Sequence, residues 1–149
     1  MQKSPLRLIT LLAAIGVATI AVAGDDPRVV RSETMKGVRE AVKPLGGMMR
    51  GDVAFDADTV TKSLATFNEA ASTFGSLFPE GSDTGMDTEA APAIWTDREG
   101  FDAALARFAS AVENAQAAAP TSLDEAKPVL GPVLQACKGC HDNYRIEKD

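Results

Sequence analysis

The sequence has very few of the side chains that most metal and redox sites use. Its 149 residues include one histidine, His141, and two cysteines, Cys137 and Cys140. Two histidine ligands to one metal are therefore excluded within a single chain. A disulfide between cysteines three residues apart would close almost no loop and would stabilise little. All of this chemistry lies in the last fifteen residues, QACKGCHDNYRIEKD.

An excess of positive charge is also missing. The chain carries 15 basic and 21 acidic residues. This balance argues against nucleic acid or an anionic membrane surface as a partner. Because the surface is acidic, we expect redox partner proteins that are basic where they dock.

Long apolar runs are limited to the N-terminus. Residues 1–23 begin with Lys3 and Arg7, continue with an apolar run from about 8 to 22, and end in the small residues of Ala-Val-Ala. The run is short for a membrane span of ~20 residues. The pattern predicts a cleaved secretory signal peptide. The mature chain, residues 24–149, then forms one periplasmic domain without membrane attachment.

Alternation typical of strands is scarce, whereas alanine is frequent and apolar residues recur at helical spacing. Four stretches are predicted as helices: about 26–49, about 58–77, one that opens with a capping box at Thr96, and one that opens near Ser122. Pro44 predicts a kink in the first, and Pro128 and Pro132 predict a kink or a later start in the fourth. Residues 79–92 are predicted as a loop. The fold class is all-α, an antiparallel four-helix bundle.

The motif Cys-x-x-Cys-His allows three interpretations. A redox dithiol needs the motif at a helix N-terminus in a βαβ setting, and here it lies late in the last helix. A structural zinc site needs four ligands, so a carboxylate would have to complete it. Covalent haem attachment fits best, because positions 137, 140 and 141 share one helical face. Cys137 and Cys140 would form thioethers to haem c, and His141 would bind its iron.

Because His141 is alone, the sixth iron position holds a methionine, a weak ligand or nothing. The candidates are Met35, Met48, Met49 and Met86. Met35 lies in the apolar stripe of the first helix, whereas the next two read as core residues and Met86 lies in the long loop. Two interpretations of Met35 stay open, namely an iron ligand and ordinary core packing.

The sequence resembles the cytochrome c′ family, the class II c-type cytochromes, over almost the whole mature chain. The matching stretches are RSETMK at 31–36, RGDVAFDA at 50–57, LFPEGSDTG at 77–85, PAIW at 92–95 and CKGCHDNYR at 137–145. The resemblance implies a four-helix bundle around haem c, often as a homodimer. It implies Cys137 and Cys140 as thioether residues, His141 as proximal ligand and Met35 at the distal position.

The resemblance also assigns two arginines. It implies that Arg31 lies near the haem propionates and that Arg145 lines the proximal pocket. On the residues alone, each would be interpreted as a solvated helix charge.

The family divides at the distal position. One branch uses a methionine ligand and transfers electrons, and the other is five-coordinate and binds nitric oxide or carbon monoxide. We expect a one-electron carrier, with gas binding as the alternative.

A haem peroxidase usually has a distal acid–base group, often histidine, and the chain has no second histidine, so we predict that the protein is not an enzyme. A helical interaction module with a chance motif is the non-haem alternative.

Overall fold

The computed structural model describes residues 25–147, which form helices joined by short turns and one long loop. The helices are α1 (Pro27–Arg50), α2 (Ala57–Thr73), α3 (Ala93–Thr96), α4 (Arg98–Ala118) and α5 (Leu123–Tyr144). A 3₁₀ turn, Phe74–Leu77, extends α2. Within the described range the β pairing is one isolated antiparallel bridge, between Ala90 and Arg145. The predicted signal peptide, residues 1–23, lies outside this range.

Side-chain caps begin the long helices. Asp26 accepts a hydrogen bond from the Arg28 backbone N–H at 2.9 Å, directly before Pro27 at the first position of α1. Such caps satisfy backbone donors that lack partners within the helix. The predicted cap of the third long helix was wrong by one residue. Thr96 completes the single turn of α3, so Asp97 caps α4 by accepting from the Gly100 N–H.

The prolines do not shorten the helices. α1 continues through Pro44 to Arg50, and α5 begins at Leu123 and continues through Pro128 and Pro132. The alternative of a later start for α5 was therefore wrong. Each internal proline removes one backbone hydrogen bond. The buried residues Ala126, Leu130 and Val133 belong to the main core, and their packing offsets that loss.

Two apolar clusters hold the bundle together. The larger, here called the main core, lies between α1, α2, α4 and α5 and includes Phe67 and Val112, which are fully buried. The smaller, the aromatic cluster, consists of the buried residues Phe78, Ala90, Ile94 and Phe101 and the side chains packed on them. It joins the loop and α3 to one end of α4 and α5.

The long helices follow the predicted bundle architecture. α1 packs on α2, α2 on α4, and α4 on α5, whereas α1 and α5 touch only lightly. The all-α four-helix bundle is thereby confirmed. No helix within residues 25–147 combines the length and apolarity that a membrane span requires.

Candidate functional site

The two cysteines lie on the last turns of α5, where both core clusters meet the helix. Cys137 packs against the main core, and Cys140 packs against the aromatic cluster. Both thiols are free and half-buried. The i, i+3 spacing places them on one face of the helix, as the sequence predicts.

The protonation of these thiols does not suit redox-dithiol chemistry. Burial and, to a smaller extent, the neighbouring Cys140 together raise the pKa of Cys137 to about 11. Burial also raises the pKa of Cys140. A reactive dithiol needs a depressed pKa, because the thiolate is the nucleophile. Both thiols are therefore neutral near pH 7 in the protein.

His141 follows Cys140 directly and is more exposed than either cysteine. The protein packed around its ring lowers the pKa of the imidazole, and Arg145 lowers it further. Glu89 and Asp142 act in the opposite direction. The net effect favours neutral imidazole, which is the form that binds a metal.

A short backbone pairing fixes the end of α5. The Ala91 N–H donates to Tyr144 O at 3.0 Å, and the Ile146 N–H donates to Glu89 O at 2.8 Å. Arg145 Nε donates to Glu89 Oε2 at 2.7 Å, with both side chains nearly half exposed. Arg145 therefore lies beside His141 and is solvated, as the residues alone suggest.

A groove of about 370 Å³ lies between α4 and α5 on the side of Cys140. Its volume lies in the lower part of the range that small-molecule sites occupy, roughly 300–1,000 Å³. The groove is lined by Ala104, Arg107, Ala111, Pro132, Gln135, Ala136, Gly139, Cys140 and Asn143. The small residues of the two helices leave this space beside the cysteine.

No group of three or more histidine, cysteine, aspartate and glutamate side chains within residues 25–147 is arranged to hold a metal ion. A structural zinc site needs four converging ligands. The zinc interpretation of the motif therefore gains no support from the geometry. Cys137 and Cys140 face apolar clusters instead, which suits a large apolar group attached to both.

Comparison with known proteins shows the family to which the chain belongs. The cytochrome c′ family profile matches residues 26–145. The chain belongs to the cytochrome c′ family. It is 40% identical to cytochrome c′ of Rhodopseudomonas palustris over 96% of this chain and 98% of that one. It is 30% identical to cytochrome c-556 of the same organism, over 94% and 97%. A solved structure of Rhodopseudomonas palustris cytochrome c′ superposes with a TM-score of 0.80 at 37% identity, covering 85% of this chain and all of that one.

Membership of the cytochrome c′ family implies haem c, and the residues on α5 fit that group. Two free thiols lie on one helical face, each against an apolar cluster. The imidazole next to them favours its neutral form. Haem c requires two thiols and an imidazole for its iron, and these three groups stand together here, with no second histidine in the sequence for the opposite side.

Burial sets two of the four distal candidates apart from the others. Met35 on α1 is half-buried and packs against the main core, the same cluster that Cys137 contacts. Met48 is 5% exposed within that core, whereas Met49 is half-buried and packs on the core as Met35 does. Met86 is 59% exposed in the loop. Burial therefore does not distinguish Met35 from Met49, and the distal position of Met35 stays a prediction.

The interpretation of Arg31 as a solvated charge was wrong. Arg31 is 5% exposed and its guanidinium enters the long loop. Nη1 donates to Leu77 O and Ser82 Oγ, and Nη2 donates to Ser82 O and Thr88 Oγ1, at 2.7–3.3 Å. Burial lowers the pKa of Arg31, yet four neutral acceptors satisfy the charge. The expected contact with haem propionates stays a prediction.

Sequence reasoning missed the residues that hold this arginine. Ser82 is 3% exposed although it lies in a polar, glycine-rich loop. The sequence also gives no sign of the hydrogen bond from Tyr144 Oη to Asp97 Oδ2, at 3.0 Å, which joins α5 to the start of α4. These residues are dozens of positions apart and follow no helical period, so no local pattern indicates the contacts.

Proposed function

We propose that the protein is a periplasmic haem c protein that transfers single electrons. The observation that carries this is the face of α5, where free Cys137 and Cys140 lie against two apolar clusters beside His141. Haem c iron alternates between ferrous and ferric states and so carries one electron. The apolar clusters of this chain would exclude water from the attached group.

Each residue has a distinct role in this proposal. Cys137 and Cys140 would hold haem c by thioether bonds, which retain the cofactor without relying on packing alone. His141 would bind the iron through its neutral imidazole. Glu89 would position Arg145 beside His141 through their ion pair.

We further propose Met35 as the sixth iron ligand. Its side chain shares the main core with Cys137, one on α1 and the other on α5. A thioether ligand raises the reduction potential relative to a site without one. It also holds both redox states in one coordination geometry, which favours electron transfer.

Gas binding is the second candidate. The light contact between α1 and α5 favours it, because few interactions hold the distal helix against the proximal one. A displaced or unbonded Met35 thioether would open the distal side to a small neutral gas. Nitric oxide and carbon monoxide are the ligands of this class that we propose.

The absorption and electron paramagnetic resonance spectra of the oxidised protein test the role of Met35. We expect a low-spin signal that becomes high-spin in Met35→Leu. Met49→Leu is the matched control, because Met49 is also half-buried on α1 and packs against the same core but lies fourteen residues further along the helix. A high-spin wild-type spectrum that Met35→Leu leaves unchanged would contradict methionine ligation.

Two further measurements test gas binding and the thioether bonds. Titration of the reduced protein with carbon monoxide and nitric oxide tests gas binding, and an unchanged spectrum at saturating gas would exclude it. Mass measurement of the protein made in a host that attaches haem c tests the thioethers. We expect the mass to include haem in the wild type and to lack it in the double variant Cys137→Ala, Cys140→Ala.

The remaining assignments are proposals of the same kind. Residues 1–23 would direct export and be removed, leaving residues 24–149. Redox partner proteins would dock through basic surfaces, and a homodimer would form as in the family. An absence of enzymatic activity stays a prediction.

A further inference from the structure

Four aromatic rings form an unbroken series through the aromatic cluster. The ring centroids of Trp95 and Phe78 are 5.8 Å apart, those of Phe78 and Phe101 are 4.9 Å apart, and those of Phe101 and Tyr144 are 5.3 Å apart. Each pair meets edge to face, a favourable aromatic arrangement. The series therefore connects the loop side of α3 with the last turn of α5.

The two ends of the series are the rings that can lose an electron most easily. Trp95 is the only tryptophan of the chain, and Tyr144 is the only tyrosine. Trp95 is partly exposed, and its Nε1 donates to Pro79 O at 3.2 Å. Tyr144 packs in the aromatic cluster with Cys140, one turn earlier on α5. Both end rings are thus partly exposed, and the Tyr144 end adjoins the candidate site.

Fixed charges make the two ends unequal. The Arg31 guanidinium lies 4.6 Å from the Phe78 ring centroid and 5.8 Å from that of Trp95. A positive charge there disfavours a radical cation on either ring. Tyr144 instead donates to the Asp97 carboxylate, which favours positive charge at that end. Arg98 lies 5.5 Å from the Phe101 ring centroid, but the Asp102 carboxylate pairs with it at 2.9 Å. Burial and Asp97 raise the pKa of Tyr144, and Arg107 lowers it by a smaller amount. An oxidising equivalent on Trp95 is therefore driven toward Tyr144.

The contact between Tyr144 and Asp97 depends on a residue without a side chain. A Cβ at Gly100 would lie 2.5 Å from Tyr144 Oη and closer still to Asp97 Oδ2, so neither group could keep its place. Asp97 at the same time accepts from the Gly100 N–H as the cap of α4. One carboxylate thus caps a helix and receives the phenol hydrogen bond.

We propose that this series conducts an electron from Tyr144 to Trp95 when a free-radical oxidant attacks Trp95. The oxidant takes one electron from the indole and leaves a radical cation. Tyr144 then returns one electron to Trp95 through Phe101 and Phe78, and its phenolic proton passes to Asp97. The products are neutral Trp95, a neutral tyrosyl radical and a protonated carboxyl group. The placement of Tyr144 beside an attached cofactor rests on the proposed function, whereas the transfer itself does not.

Pulse radiolysis with azide radicals tests the series in the oxidised full-length protein. Azide radicals oxidise indole, and each radical in the chain can be assigned because Trp95 and Tyr144 are single residues of their kind. We expect the indole radical to convert to the tyrosyl radical at a rate independent of protein concentration. Tyr144→Phe should give no tyrosyl signal.

Asp97→Asn separates proton acceptance from structure. Asparagine caps helices as well as aspartate and still accepts a hydrogen bond, but it cannot take the proton. Because a positioned base contributes about 10²-fold or more to proton transfer, we expect the conversion to slow by roughly a hundredfold. Asp56→Asn is the matched control, since Asp56 caps α2 without a tyrosine partner. Phe101→Leu, with unchanged helicity by circular dichroism, should slow the transfer several-fold.

Three outcomes would overturn the inference. They are an indole radical that decays only by encounter between molecules, an Asp97→Asn rate equal to that of the wild type, and a Phe101→Leu rate equal to that of the wild type. Haem attachment is verified separately by mass on the same sample. A failure of the proposed function is therefore distinct from a failure of this electron path.

Discussion

Replacing Arg31 with methionine should destabilise the protein through the long loop rather than through α1 itself. The guanidinium makes four hydrogen bonds to residues 77, 82 and 88. At about 1.5 kcal/mol for each bond to a charged donor, they stabilise the fold by roughly 6 kcal/mol. Burial of the charge costs several kcal/mol, which its removal recovers. We therefore expect a net loss of about 2–3 kcal/mol in the free energy of unfolding.

Urea unfolding followed by far-ultraviolet circular dichroism measures this loss. Arg39→Met is the matched control, because Arg39 is an exposed arginine of the same helix. Its effect should stay within about 0.5 kcal/mol, as for most surface substitutions. Arg31→Lys keeps the charge, but an ammonium group has three donors on one atom and cannot span the same acceptors. We expect it to recover less than half of the loss.

Limited proteolysis adds a second measurement, because a released loop should be cut sooner between residues 79 and 88. The reasoning would be refuted by Arg31→Met unfolding at the same urea concentration as Arg39→Met. Faster cleavage elsewhere in the chain, with the loop still protected, would also contradict it.

Two further predictions concern surface ion pairs. Hydrogen bonds from Arg28 lower the pKa of Asp26 from 3.8 to about 2. The ionised carboxylate therefore stabilises the folded protein fully above pH 3.8, and this stabilisation is lost as the pH falls through about 2. Thermal unfolding should therefore show an advantage of the wild type over Asp26→Asn that disappears in this range, and an advantage that persists in strong acid would contradict the assignment. Glu89→Gln should lower the free energy of unfolding by less than about 1 kcal/mol, because the ion pair between Glu89 and Arg145 is exposed. A larger loss, or a loss that salt does not reduce, would show that this pair is not a surface interaction.

Helix positions could be predicted because their signals are local. Apolar periodicity and capping residues placed four helices within a few residues of their observed bounds. The errors arose where neighbouring residues compete. Thr96 and Asp97 can both cap, and the turn of α3 decides between them. Pro128 and Pro132 are unfavourable inside a helix, yet the packing of α5 on α4 keeps that helix continuous.

The candidate site likewise has features that local spacing predicts and features that depend on distant residues. Cys137, Cys140 and His141 are near neighbours on one helix, so their spacing alone predicts a shared face. The environment of each side chain depends on other elements and could not be predicted. Arg31 illustrates this, because its burial depends on acceptors about fifty residues further along the chain.

The sequence by itself determined most of the secondary structure, the fold class and the shared helical face of Cys137, Cys140 and His141, since periodicity, caps and i, i+3, i+4 spacing act within a few residues. Only the tertiary structure decided that the two cysteines meet different apolar clusters, that Arg31 is buried in the loop, and that Tyr144 hydrogen-bonds Asp97 beside Gly100. The physical reason is that burial and long-range hydrogen bonds arise where separate helices and loops pack, which no single stretch of sequence specifies.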